Sequence, residues 1–273
     1  NFDLSGIPRE RLTMIGANDS PIPWHTLLTG MIFIQTFYWS TNQTITQRAM
    51  AAPNVKEAQK GVFAAAAIRL LIVPPMIVLP GIVAFKLYGD IGDAAYGRIV
   101  GDVLPVWMSG IFAAAIAAAV LTTFNSILNS STTLFVCDFY EKYIDDKPNV
   151  PRLGGIITIV FVILSLFLVP VYSGADSIIN LVQELNGLLS MPILSVFIVG
   201  LLFKGVDPRA AIVAVLFGTS LYAFFSFGLD VMPLHYIHMM LVTLVSCVMV
   251  ALITNRFIFG GSAQFGYAAS AID

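Results

Sequence analysis

Long apolar runs separated by short polar stretches make up most of the chain, at about residues 24–46, 58–88, 106–140, 153–172, 176–203, 208–228 and 235–257. Each run is continuous, and most reach or exceed the roughly 20 residues that cross a hydrocarbon core about 30 Å thick. In lipid only helices and closed barrels satisfy their own backbone, and barrel strands would be shorter and alternating. The pattern therefore predicts an all-α polytopic membrane protein with about seven transmembrane helices. Composition agrees: 58% of residues are hydrophobic and 11% charged, against roughly a quarter charged in soluble domains. The mean hydropathy is +0.86.

The net charge of −2 says little, but the placement of charge orients the chain. Arg48, Lys56, Lys60, Lys142, Lys147, Arg152, Lys204, Arg209 and Arg256 follow the odd-numbered segments, whereas Arg9, Arg11, Lys86 and Arg98 lie on the opposite side. The positive-inside rule predicts a cell-membrane protein with the N-terminal end of this chain outside and the C-terminal end inside. Residues 1–23 and 90–102 read as exterior loops and 145–152 as an interior turn. Asn18–Asp19–Ser20 is an exterior glycosylation sequon. Cys137 and Cys247 lack any paired spacing and read as packing residues. The polar opening NFDLSGIPRE, without an initiator methionine, reads as a processed product or a fragment of a longer protein.

Three departures from plain apolar helices carry candidate chemistry. The first segment continues into YWSTNQTITQR (38–48). Thr44 to Arg48 suit the inner interface, with Arg48 snorkelling to the headgroups. Tyr38 to Asn42 fall roughly 15 residues after Trp24, near mid-membrane at about 1.5 Å per residue. A broken helix lining a cavity accommodates polar groups at that depth. The second segment carries Pro74, Pro75 and Pro80, which predict a kink, and also Arg69. A charge there costs about 2.5–3.5 kcal/mol on insertion scales, so Arg69 needs an acceptor and a polar surrounding. Glu184, beside Gln183 in the fifth segment, is an intramembrane acid that could pair with it. The third segment turns from FAAAIAAAV (112–120) to the hydroxyl-rich TTFNSILNSSTT (122–133). Its alanines serve close helix packing. Thr122 and Thr123 either back-bond to carbonyls one turn earlier or, with the carbonyl of Ala119, form an oxygen cage for a cation such as Na⁺. Asn125 and Ser126 could serve a second ion.

YWSTNQTITQRAMAAPNVKEAQKG (38–61), FAAAIAAAVLTTFNSILNSSTTLFVCDFY (112–140) and LVQELNGLLSMPILSVFIVGLLFK (181–204) resemble, in order, signature stretches of the solute:sodium symporter family. That family includes the sodium/glucose cotransporters. The resemblance covers at least residues 24–210. It implies the second half of a leucine-transporter-type inverted-repeat fold plus additional C-terminal helices. Residues 1–23 would then be an exterior loop, 24–203 the second five-helix repeat, 204–260 the additional helices and 261–273 a cytoplasmic tail. The first segment would be the broken helix of the repeat, interrupted at STNQ.

The resemblance implies a sodium site at Ala119, Thr122 and Thr123, with threonines where the family often has serines. It implies a solute site at Gln35, Tyr38, Arg69 and Gln183. Tyr38 would stack on a sugar ring, while Gln183 matches a glutamine typical of sugar carriers. Gln35 and Arg69 stand where a bacterial galactose carrier has asparagine and lysine. Ile179 occupies an outer-gate position that can be aromatic, which weakens that lid. The expected function is sodium-coupled symport of a small polar solute, a sugar foremost, by alternating access. The partners are Na⁺, the solute and the lipid bilayer, with no cofactor, no nucleic acid and no enzymatic chemistry. A fragment lacking the first repeat would not transport alone. The rival readings are a symporter-like sensory module and sodium symport of an amino acid or other organic anion, whose carboxylate Arg69 could clamp.

Overall fold

The computed structural model describes residues 5–13, 15–18, 20, 22–174, 178–229 and 234–266. Asp19 of the sequon and the last seven residues of the expected tail lie outside the described residues. Helices dominate. After helical turns at Trp24–Thr26 and Leu27–Met31 come α1 (Ile32–Ser40), α2 (Gln43–Met50), α3 (Val55–Tyr88), α4 (Ala95–Val103), α5 (Val106–Thr133), α6 (Val150–Ser173), α7 (Ile178–Leu202), α8 (Pro208–Phe227) and α9 (Tyr236–Phe257). A wide helical turn, Leu134–Tyr140, prolongs α5. Two short strands, β1 (Phe203–Lys204) and β2 (Gln264–Phe265), pair antiparallel.

Among the described residues six helices are long and apolar enough to cross a membrane: Val55–Tyr88, Val106–Tyr143, Val150–Ser173, Leu181–Leu202, Pro208–Phe227 and Tyr236–Phe257. They correspond to segments two to seven, and the chain is a multi-pass all-α membrane protein. The first segment is not one helix. It stops at Ser40 and restarts at Gln43, within the STNQ stretch where an interruption was expected. The cause is local: Phe37 O accepts from Thr41 N at 3.0 Å and Asn42 N at 3.2 Å. The Thr41 hydroxyl donates to the same oxygen at 2.9 Å. The Ser40 hydroxyl donates to Thr36 O. Side-chain hydroxyls thereby add to the bonds on the carbonyls of the last turn.

Pro74, Pro75 and Pro80, which predict a kinked helix, lie inside α3. One further expectation changes. Within the expected exterior loop 90–102 the chain forms α4, whose Ile99 is buried. Tyr88 Oη, at the end of α3, donates to Asp102 at 2.7 Å, and Arg98 lies 3.4 Å from the same carboxylate, tying α4 down.

The helices fall into two compact units. One comprises residues Asn1–Met14 and Gln43–Asp176, the other Ile15–Asn42 and Ser177–Asp273. In the first unit α2 packs on α3 and α5, α3 on α4, and α5 on α6. Asn54 and Asn149 cap α3 and α6, accepting from Glu57 N at 3.0 Å and Arg152 N at 3.1 Å. Thr132 and Thr158 share a 3.1 Å hydrogen bond between α5 and α6. In the second unit α7, α8 and α9 pack on one another, with α1 against α7 and α9. Its core holds Ile34, Met191, Leu194, Tyr222, Ile237, Met240 and Leu244. Both thiols are free; Cys247 is buried, as a packing residue should be, whereas Cys137 is exposed.

The entry to α1 is fixed against the start of α9. Thr29, at φ −114° and ψ −111°, departs from helical geometry. Beside it Gly30 is so close to α9 that a Cβ would lie 1.8 Å from Ile237 O. A chain of hydrogen bonds supports this kink. The Thr29 hydroxyl donates to Thr26 O at 3.2 Å, so it accepts from His238 Nδ1–H at 2.8 Å. That leaves His238 Nε2 as the acceptor for His25 Nδ1–H, also at 2.8 Å, and the two rings stack at 4.8 Å. These histidines are thus interface residues, as their positions near helix ends suggest.

Two substitutions test this clamp in detergent-solubilised protein. Gly30→Ala forces Cβ into a backbone carbonyl and should cost on the order of 1–3 kcal/mol, read as a lower unfolding midpoint. Gly200→Ala, where a Cβ meets nothing within 4 Å, should leave the midpoint unchanged or raise it. His238→Ala removes the centre of the hydrogen-bond chain and should cost about 1–3 kcal/mol in the same assay, with Gln at that position recovering part of the loss.

Candidate functional site

In the second unit the apolar face of α1 docks on the core through Ile34, with Phe33 and Phe37 alongside. This leaves Gln35 and Tyr38 exposed on α1. Tyr38 is 41% exposed and its ring meets Trp39 edge-on, with centroids 5.4 Å apart. It lies in the last turn before the break, so an aromatic surface and the interrupted backbone adjoin. The Gln35 amide lies 3.9 Å from Met31 Sδ. Gln183 and Glu184 sit half-buried near the start of α7, and Ile179 is exposed on its first turn. Gln35, Tyr38 and Gln183 therefore belong to helices of one unit that pack together.

Arg69 and the three candidate cation ligands belong to the other unit. Arg69 is exposed partway along α3, among the exposed Ile68, Leu70 and Leu71. Ala119, Thr122 and Thr123 occupy consecutive turns of α5, all exposed. The Thr122 hydroxyl donates to Ala119 O at 3.0 Å. This is the back-bonded arrangement, and it holds two of the three candidate oxygens side by side. A hydroxyl that donates its proton keeps lone pairs, and a carbonyl has two. Two oxygens this close can both lie about 2.4 Å from one hard cation. Thr123, one position on, presents its hydroxyl on the neighbouring face of α5.

Sequence reasoning missed a polar cavity of about 390 Å³ in the first unit, between α2 and α5. It is lined by Gln47, Arg48, Ala51, Asn125, Ser126, Asn129 and Ser130. The exposed Arg48 guanidinium donates to Thr44 O and to the Ser126 hydroxyl. The Ser126 oxygen that could have served a second cation thus receives a positive donor instead. The signal that could have found this group is the four-residue spacing of Thr122, Ser126 and Ser130, which places them on one face of α5.

Comparison with known proteins agrees with the residues that carry the resemblance. The sequence pattern of the sodium:solute symporter family matches residues 11–218. The uncharacterized symporter YidK of Escherichia coli (strain K12) is 36% identical over 225 residues, covering 80% of this chain and 39% of its own length. A sodium/glucose cotransporter of Vibrio parahaemolyticus is 33% identical over 250 residues, covering 84% of this chain and 46% of its own. A sodium/myo-inositol cotransporter 2 of Sus scrofa is 28% identical over 243 residues, or 78% and 35% of the two chains. The chain spans less than half the length of these relatives. With the family pattern running through most of the chain, from Arg11 to Gly218, this protein belongs to the sodium:solute symporter family.

Proposed function

We propose that this chain forms the second half of the transport core of a sodium-coupled symporter, moving a small polar solute, a sugar or related polyol, by alternating access. The observation that carries the reading is the pairing of Ala119 O and Thr122 Oγ1, 3.0 Å apart on an exposed face of α5. In a chain of this family that pairing is two ligands of a sodium site in waiting, with Thr123 as the third. Na⁺ needs only such neutral oxygens, and no carboxylate stands among these three residues. The solute would be held by Gln35, Tyr38, Arg69 and Gln183. The Tyr38 ring offers a stacking face, and the two amides and the guanidinium offer donors and acceptors for hydroxyl groups. The solutes for which the relatives are named, glucose and myo-inositol, are polyhydroxylated rings and support that class.

In this mechanism sodium binding favours one open state, the solute completes the cavity, and both leave on the other side. One elementary charge moving through 100 mV supplies about 2.3 kcal/mol, enough for roughly fifty-fold accumulation. The interrupted backbone at Thr41–Asn42 lies one turn below Tyr38, where a broken helix can open toward a ligand. Residues 24–203 would form the second five-helix repeat, with the N-terminal end of this chain outside and the C-terminal end inside.

The test is radiolabelled sugar uptake into proteoliposomes holding a full-length symporter that contains this chain, with and without an inward Na⁺ gradient. Uptake should require sodium and fall at least tenfold in Thr123→Ala at low sodium, from loss of one ligand. Sodium-dependent uptake untouched by Thr122→Ala and Thr123→Ala would overturn the ion site. Competition by carboxylates but not by sugars would overturn the solute class and favour an organic anion clamped by Arg69. Binding of solute without any uptake would leave the sensory reading standing.

A further inference from the structure

The cavity between α2 and α5 has an unusual wall for a protein whose coupling ion is a cation. Its polar lining is one guanidinium, three primary amides and two hydroxyls, with no carboxylate. The hydroxyls are already committed. Ser126 Oγ donates to Thr122 O at 2.8 Å and accepts from Arg48. Ser130 Oγ lies 3.0 Å from Ser126 O and 3.1 Å from Gln47 Oε1 and shares its one proton between them. With Gln47 Oε1 engaged by Ser130, the amide presents its N–H₂ end away from that bond. Asn125 and Asn129 are exposed in the cavity wall and add two further amide groups. Arg48 spends one N–H on Thr44 O and one on Ser126, of the five it carries. The opening is thus lined by a formal positive charge and by three primary amides, each carrying two N–H donors beside its carbonyl oxygen.

We propose that this cavity binds a small monovalent anion, of halide or short-carboxylate size, through Arg48 with Gln47, Asn125 and Asn129 as neutral donors. A cation is disfavoured by the fixed guanidinium charge. A sugar is disfavoured because the lining holds no aromatic ring to stack on. Charge-assisted hydrogen bonds to a guanidinium are about twice as strong as neutral ones, so most of the affinity rests on Arg48. The cavity is joined to the proposed sodium ligands by an unbroken series along α5: Arg48 to Ser126, Ser126 to Thr122 O, and Thr122 to Ala119 O. Ser126 lies four residues from Thr122, a rise of about 6 Å. Resting on the reading of Ala119, Thr122 and Thr123 as a sodium site, an anion here would offset the repulsion between Arg48 and Na⁺. Each ion would then tighten the other by the same factor.

The anion site is tested without sodium, so its outcome is separate from that of the sodium site. The purified chain in a zwitterionic detergent is titrated with N-methyl-D-glucamine chloride against a gluconate background, and the ³⁵Cl linewidth is read. A saturable excess linewidth should appear, should be displaced by acetate, and should require about tenfold more chloride in Arg48→Gln. Arg48→Lys, which keeps the charge but loses the fork, should fall between the two. The double variant Asn125→Ala with Asn129→Ala, which leaves Arg48 intact, should weaken binding several-fold and guards against a misfolded Arg48→Gln. Excess linewidth absent from the wild-type chain overturns the proposal. So does linewidth that all three variants reproduce unchanged.

Discussion

A backbone carbonyl at membrane depth has no water to bond, and both the break after α1 and the polar face of α5 arise where side-chain hydroxyls turn to such carbonyls. Phe37 O serves Thr41 N, Asn42 N and the Thr41 hydroxyl together, and α1 ends there. Thr122 O receives Ser126, and Ser126 O receives Ser130, without ending α5. The difference lies in how the local groups combine. On α5 each hydroxyl adds to a ladder that continues. At Ser40–Thr41 two adjacent hydroxyls turn back at once, and Thr41 leaves helical geometry at φ −124°, ψ −11°. The result is one continuous span with a polar face and one broken segment, from the same chemistry.

Close backbone approach is the second organising feature, and it is confined to the well-packed second unit. Gly30 meets Ile237 O, Gly218 meets Cys247, and Gly187 meets Tyr222, each leaving no space for a methyl group. Small residues let helices come together in lipid, where no hydrophobic gradient drives them to do so. The Thr29–His238–His25 chain adds direction to that packing. It orients the broken segment by hydrogen bonds whose alternative, in hydrocarbon, is an unsatisfied imidazole. In the first unit most of the apolar residues of α3, α5 and α6 remain exposed, so their outer surfaces are available to lipid or to further protein.

The electrostatics of α2 and α5 reverse an expectation built on composition. Hydroxyl- and amide-rich helices suggest cation ligands, because oxygen lone pairs are what one counts along the chain. The count omits where each proton goes. With Arg48 donating to Ser126 and the serine protons turned to backbone and Gln47 oxygens, that wall presents a guanidinium and three primary amides and no carboxylate. One helix thereby carries an acceptor-rich pair at Ala119 and Thr122 and, a turn further on, donor-rich surroundings at Arg48.

Several properties were legible from residue order alone. Uninterrupted apolar length made helices the backbone that could satisfy itself in lipid, so the class and six of the seven expected long helices followed, whereas the first segment proved broken. The clustering of hydroxyls at 40–42 marked the break because those side chains compete with the backbone wherever they sit. The motif residues at 38–61, 112–140 and 181–204 carried the family. Other properties depended on partners distant in the sequence, and these only the tertiary structure decided. Nothing near Gly30 announces Ile237, and nothing near His25 announces His238. Nothing near Arg48 announces Ser126, 78 positions away, as an acceptor for its guanidinium. The 90–102 stretch read as an exterior loop, yet α4 forms within it, its Asp102 accepting from Tyr88 and lying beside Arg98. Periodicity and propensity are local, whereas the destination of a proton or the space left for a methyl group depends on which surface folds across from it.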